Sequence, residues 1–174
     1  MSLLSGIGDL LKQYTGGSGA PANVEQNFDQ VAQAVPSSSL AGGLAEAFRS
    51  GDTPPFAQMA AQLFSNGNGQ QQASMLTTLL ATAGPEVLSK FSGGNASSPL
   101  AALLQGGQTQ VSAEQAAQVD PAEVQALAQH VEQNNPSIID RVSEVYAEHP
   151  TLIKTLGAAA LAIAVKKIAD QHQA

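Results

Sequence analysis

The sequence predicts an all-α protein, and three observations carry that expectation. Apolar residues recur at spacings of three and four along most of the chain. No stretch alternates apolar and polar residues as a half-buried strand does. Pro and Gly fall mostly between the periodic runs, as punctuation of short helices. The 174 residues suit one domain with an appendage. The expected organisation is an amphipathic helix over 1–14, a flexible linker over 15–22, and a single helical domain over 23–174. Its architecture is read as a compact multi-helix bundle, built around a long apolar C-terminal helix.

The first element, "SLLSGIGDLLKQY", sets Leu3, Leu4, Ile7, Leu10, Leu11 and Tyr14 on one stripe. The following "TGGSGAPA" is a Gly/Ser tether that couples this helix loosely to the rest. Such a stripe docks on its own core, or serves as a detachable contact for a protein partner or a lipid surface. It is not expected to be a secretion signal, because it lacks a basic start and carries Asp9 within the apolar part.

Asn23 is placed to cap a helix through Val35, with Val24, Phe28, Val31 and Val35 on one face and Pro36 as the stop. A second helix carries Leu40, Leu44 and Phe48 and is weakened by Gly42 and Gly43. A third holds Phe56, Met59, Ala60, Leu63 and Phe64, and "SNGNG" breaks it. A fourth runs through Met75, Leu76, Leu79 and Leu80, with Gly84 as its expected C-terminal stop. Pro85 opens the short "PEVLSKF" helix. Residues 92–111, rich in Gly and Ser, read as a soft loop-rich zone containing one short apolar piece, "PLAALLQ".

Downstream, Ser112 and Gln115 fit a reciprocal helix cap. Pro121, Pro136 and Pro150 each suit a first helical position, with Asp120 and Asn135 as caps before the first two. Val124, Leu127, Ala128 and Val131 form one core face, and Ile138, Ile139, Val142, Val145 and Tyr146 the next. The last helix contains "LGAAALAIAV", residues 156–165, ten residues without a polar side chain. The run from Thr155 to Val165 lies between lysines and would rise about 16 Å, half a bilayer core. It is therefore expected to be a buried central helix, with Thr155, Ala158, Ala159 and Ala162 as the small face that admits a neighbour. Self-association and membrane insertion are the alternatives.

The segment "VSAEQAAQVDPAEVQALAQHVEQNNPSIIDRVSEVYAEHP", with the start "MSLLSGIGDLL", resembles the YidB-like bacterial family. The resemblance covers about 40 residues plus the first helix: a Ser-x-Glu-Gln helix start, a "LAQ" helix, and a following helix ending near a Pro. It implies a small all-helical bacterial domain and transfers no catalytic residue. The chain departs from the family in lacking the Trp-containing motif ahead of Ser112, and in its Gln-rich middle and long C-terminal helix.

Composition excludes several functions. Seven basic residues against 14 acidic ones give a net charge of −7, and Lys166–Lys167 is the one close basic pair, so nucleic acid is not an expected partner. The absence of Cys removes disulfides, thiolate catalysis and Cys-ligated metals. His130, His149 and His172, with Glu123, Glu144 and Glu148, would make a metal site only by converging in space. No GxSxG, phosphate-loop or dinucleotide motif is present. The expectation is a cytoplasmic, non-enzymatic protein with no catalytic residue, no metal and no cofactor. It acts by binding a protein partner or assembling with itself through apolar helix faces, with Leu3, Leu4, Ile7, Leu10, Leu11 and Tyr14 as the contact. A peripheral membrane-surface protein using that same helix is the alternative, and an unrecognised hydrolase or metalloenzyme the second.

Overall fold

The computed structural model describes residues 23–92, 98–107 and 110–173. The N-terminal stripe from Leu3 to Tyr14 and the linker over 15–22 lie outside them. Among the described residues the chain is all helical, with no strand. In order the helices are α1 (Val24–Ala34), α2 (Ser37–Arg49), α3 (Phe56–Asn66), α4 (Gly69–Thr82), α5 (Pro85–Ser92), α6 (Pro99–Gln105), α7 (Ala113–Ala116), α8 (Pro121–Asn134), α9 (Ile138–Ala147), α10 (Pro150–Ile153) and α11 (Ala158–Gln173). A single 3₁₀ turn, Lys154–Leu156, links the last two.

The chain divides into two compact units. Of the described residues, the first contains 23–54 and 143–173, and the second those between Pro55 and Val142. In the first, α11 packs along α2 and α1. Three pairs of neighbours mark the α2–α11 contact: Gly42 lies by Gln171, Glu46 by Lys167, and Gly43 by Ala164. The approach is close. A Cβ built on Gly43 would stand 2.6 Å from the Ala164 carbonyl oxygen and 3.0 Å from Ile168 Cγ1. The Gly42–Gly43 pair, a weakness in intrinsic helix propensity, is thus what lets two backbones meet. Lys154 Nζ donates to Asp29 Oδ2 at 3.0 Å, a part-exposed ion pair within the same unit.

In the second unit α3 packs on α8, α4 on α7 and α8, and α5 on α6 and α8. Met59, Leu63, Phe64, Leu76, Leu79, Leu127 and Val131 are fully buried, at the helical spacing that the sequence displays. The Ser112–Gln115 cap forms in both directions, at 3.2 and 3.1 Å. Asp120 Oδ1 accepts from the Ala122 N–H at 2.8 Å ahead of Pro121. "SNGNG" does more than break α3, because Asn68 and Gln71 form a second reciprocal cap that starts α4.

Several expectations need correction. The C-terminal apolar run is not one long helix. Gly157, at φ +99°, interrupts it in a left-handed conformation that side-chain-bearing residues avoid. Its predicted small face is not the packed one either. Ala158 and Ala159 are exposed, Ala162 and Ile163 half-buried, while Ala160, Leu161, Ala164 and Val165 face the unit's interior. The helix restarts at Ala158, after this break.

Within the loop-rich zone of 92–111, α6 is a capped helix: Ser98 Oγ accepts from the Ala101 N–H, and Leu100, Ala101 and Leu103 are buried. Gly84 follows directly on the Ala83 cap of α4, at the expected C-terminal position, but without the left-handed backbone of a glycine stop. Its carbonyl accepts from Val87 and Leu88, so it leads into α5. Asn23 sits at the start of α1 without a side-chain capping bond. Pro136 lies two residues before α9, in a turn where Asn135 Oδ1 accepts from Ser137.

Candidate functional site

Among the described residues, the histidines and carboxylates singled out by the sequence do not converge. No group of three or more metal-ligating side chains forms among the described residues. Glu123 is committed to the start of α8, where its carboxylate accepts from the Asp120 N–H at 3.3 Å. His130 lies two turns further along the same helix, a rise of about 10 Å. Its ring meets Phe91 edge-on, with centroids 5.4 Å apart at 81°. His149 precedes Pro150 and donates its backbone N–H to the Tyr146 carbonyl; its side chain makes no cap. Glu144 and Glu148 are exposed. The His172 side chain lies outside the described residues.

One concave feature is an open cavity of about 330 Å³ in the second unit, between α6 and the α7 region. Pro99, Ala102, Leu103, Gly106, Gln115 and Gln118 line it. Gln115 already spends its side-chain oxygen on the Ser112 N–H. Amides and aliphatic carbons orient a bound group by hydrogen bonds and contact. They supply neither a nucleophile nor a proton-transfer group at ordinary pH.

Among the described residues, two groups depart from ordinary titration. Burial pushes the Tyr146 phenol well above its usual range, and its hydroxyl has no hydrogen-bond partner. Burial also raises the Glu132 carboxyl, since the charged form loses hydration there. Neither lines the cavity.

The helix surfaces are more informative. Of the five phenylalanines, Phe28, Phe48, Phe56 and Phe64 are at most 3 % exposed, while Phe91 on α5 is only half-buried. Leu88, one turn earlier on α5, is half-buried too. With His130 across from Phe91, the second unit carries an aromatic and aliphatic surface next to a polar ring. Sequence reasoning misses it, because "PEVLSKF" is too short to show which apolar residues turn inward. Val87 is buried and Leu88, its neighbour, is not.

A second surface property is electrical. Between Asp52 and Glu86 the sequence contains no charged residue. The exposed stripes of α3 (Gln58, Gln62, Ser65, Asn66) and α4 (Gln70, Ser74, Ala81) are therefore neutral in a chain of net charge −7. No helix among the described residues is long and apolar enough to cross a membrane. Comparison with family models, with curated proteins and with solved structures gives no match.

Proposed function

We propose that this protein works by binding protein, a second copy or a partner, through apolar side chains left at its helix surfaces. The observation that carries the reading is Phe91: four phenylalanines are enclosed, and the fifth stays at the surface beside Leu88 and His130. Partly exposed aromatic rings with an aliphatic neighbour are what protein contacts use as anchors. The stripe of Leu3, Leu4, Ile7, Leu10, Leu11 and Tyr14 supplies a second such surface in the sequence. Its apolar side chains are worth about 1.5–3 kcal/mol each when buried, before ordering costs. The neutral stripes of α3 and α4 support contact between copies, since like-charge repulsion is weakest there.

Light scattering on the full chain tests the proposal. The wild type is expected to exceed the 17.7 kDa monomer mass, alone or with a captured partner. Phe91→Ser or Ile7→Asp should return it toward the monomer without lowering its helix content. A strictly monomeric, partnerless wild type overturns the proposal. If that monomer floats with anionic vesicles and Ile7→Asp abolishes flotation, the membrane-surface reading replaces it.

A further inference from the structure

The break "SNGNG" holds the only two Asn–Gly pairs in the sequence, Asn66–Gly67 and Asn68–Gly69. Asn–Gly is the pair in which the following backbone nitrogen is least hindered, because glycine has no Cβ. The structure places the two asparagines, both exposed, in opposite environments. We infer that Asn68 is a site of spontaneous deamidation and isoaspartate formation, and that Asn66 is protected. This inference does not rest on the proposed binding function.

The reaction needs two things at each pair: a free glycine N–H to give up its proton, and an electrophilic side-chain carbonyl. Asn66 is the last residue of α3 and offers neither. The Gly67 N–H is engaged with the carbonyls of Leu63 (3.0 Å) and Phe64 (3.3 Å). The Asn66 side-chain Nδ2 donates to the Gln62 carbonyl at 2.9 Å, which holds the amide in place.

Asn68 offers both. Gly69 opens α4, where a backbone N–H has no intrahelical acceptor. That N–H also stands at the positive end of the helix, where an amide anion is favoured. Asn68 Oδ1 accepts from the Gln71 N–H at 3.0 Å. This bond polarises the carbonyl and stabilises the oxyanion formed on attack, as an oxyanion-hole donor does.

The step balances without a cofactor. The deprotonated Gly69 nitrogen attacks Asn68 Cγ, the Cγ–Nδ2 bond breaks, and the nitrogen leaves as ammonia with the proton taken from Gly69 and solvent. The cyclic imide is then opened by water at either carbonyl. One product is aspartate; the other is isoaspartate, in which the main chain runs through the side-chain carbon.

The two products act differently on the fold. Aspartate is as good a helix cap as asparagine and keeps the start of α4. Isoaspartate lengthens the backbone between Asn68 and Gly69 and breaks the reciprocal Asn68–Gln71 cap. Gly69 abuts the start of α7: a Cβ on it would lie 3.1 Å from Ala113 Cβ and 3.3 Å from the Ala113 carbonyl. Isoaspartate at this point therefore loosens the docking of α4 on α7.

Incubating the full-length protein at mildly alkaline pH, followed by peptide mapping with fragmentation that distinguishes isoaspartate, tests this. Asn68 should convert about tenfold faster than Asn66 in the native protein, the ratio set by opening the Gly67 hydrogen bonds. In denaturant the two rates should become equal. Asn68→Ser, which keeps a capping oxygen, should remove the fast product and leave the melting temperature close to wild type. Equal native rates, faster conversion at Asn66, or a native Asn68 slower than in denaturant would each overturn the inference.

Discussion

Gly42 and Gly43 are sequence neighbours in the middle of α2, and replacing each by Ala should have opposite effects. Within a helix interior Ala is favoured over Gly by about 1 kcal/mol, and both variants gain that. A Cβ on Gly42 would meet the Gln171 side-chain nitrogen at 2.5 Å, the far end of a flexible, exposed side chain that swings aside. Gly42→Ala should therefore stabilise by about 0.5–1 kcal/mol. A Cβ on Gly43 would stand 2.6 Å from the Ala164 carbonyl oxygen, and no side-chain truncation in α11 moves a main-chain atom. Relief requires α2 to back away from α11, which loosens the contacts of buried Leu44, Leu161 and Ile168. Overpacking of this kind costs about 1–3 kcal/mol, and a backbone clash belongs at the upper end. After the helix gain, Gly43→Ala should destabilise by about 1–2 kcal/mol. At about 2–4 °C per kcal/mol for a chain of this size, the melting temperatures should move a few degrees in opposite directions. Thermal melts followed by circular dichroism measure the shift, and hydrogen exchange at α2 and α11 amides assigns it to this unit. A Gly43→Ala protein as stable as wild type, or both variants moving the same way, would refute the reasoning.

Four further outcomes are expected. Ala159→Asp should leave stability unchanged or raise it slightly, because Ala159 is exposed in the first turn of α11, where a carboxylate suits the helix dipole. Ala164→Asp, at a 1 % exposed position, should cost more than about 3 kcal/mol in urea titration. Tyr146→Phe removes a buried hydroxyl without a partner, so denaturant melts should show a gain of about 1 kcal/mol, and a loss would mean the hydroxyl is satisfied. For Glu132 the folded-state carboxyl is raised by burial, so its share of stability is present below the ordinary value of 4.5 and lost as pH rises through the folded value. Glu132→Gln should accordingly melt higher than wild type at neutral pH, with the gap closing in acid; a gap constant with pH would rule out this origin.

Much of the fold is legible in the chain itself, because helix formation is local. The 3.6-residue recurrence of Val24, Phe28 and Val31, or of Val124, Leu127 and Val131, marks the buried faces, and the structure encloses them. Capping is equally local: the Ser112–Gln115 and Asp120–Ala122 bonds join residues two or three apart. These features need only the next turn of the same backbone. The candidate surface was not legible in this way. Whether Leu88 or Val87 faces inward depends on which neighbour α5 meets, and an eight-residue helix has too few turns to reveal it.

Tertiary structure alone decided three matters. The glycine at 157 stops the apolar run because its backbone takes φ +99°, a choice that residues beside it do not dictate. Which side chains of α11 face inward is likewise set by packing: Ala160 and Ala164 are buried while Ala158 and Ala159 are exposed. The division after Pro54 and again after Val142 joins segments about ninety residues apart in sequence, and α11 finds α2 across that gap. Composition and periodicity carry no record of such long-range pairing, because each apolar face fits many partners. Which one it takes is settled by where two backbones come close, as Gly43 and Ala164 do.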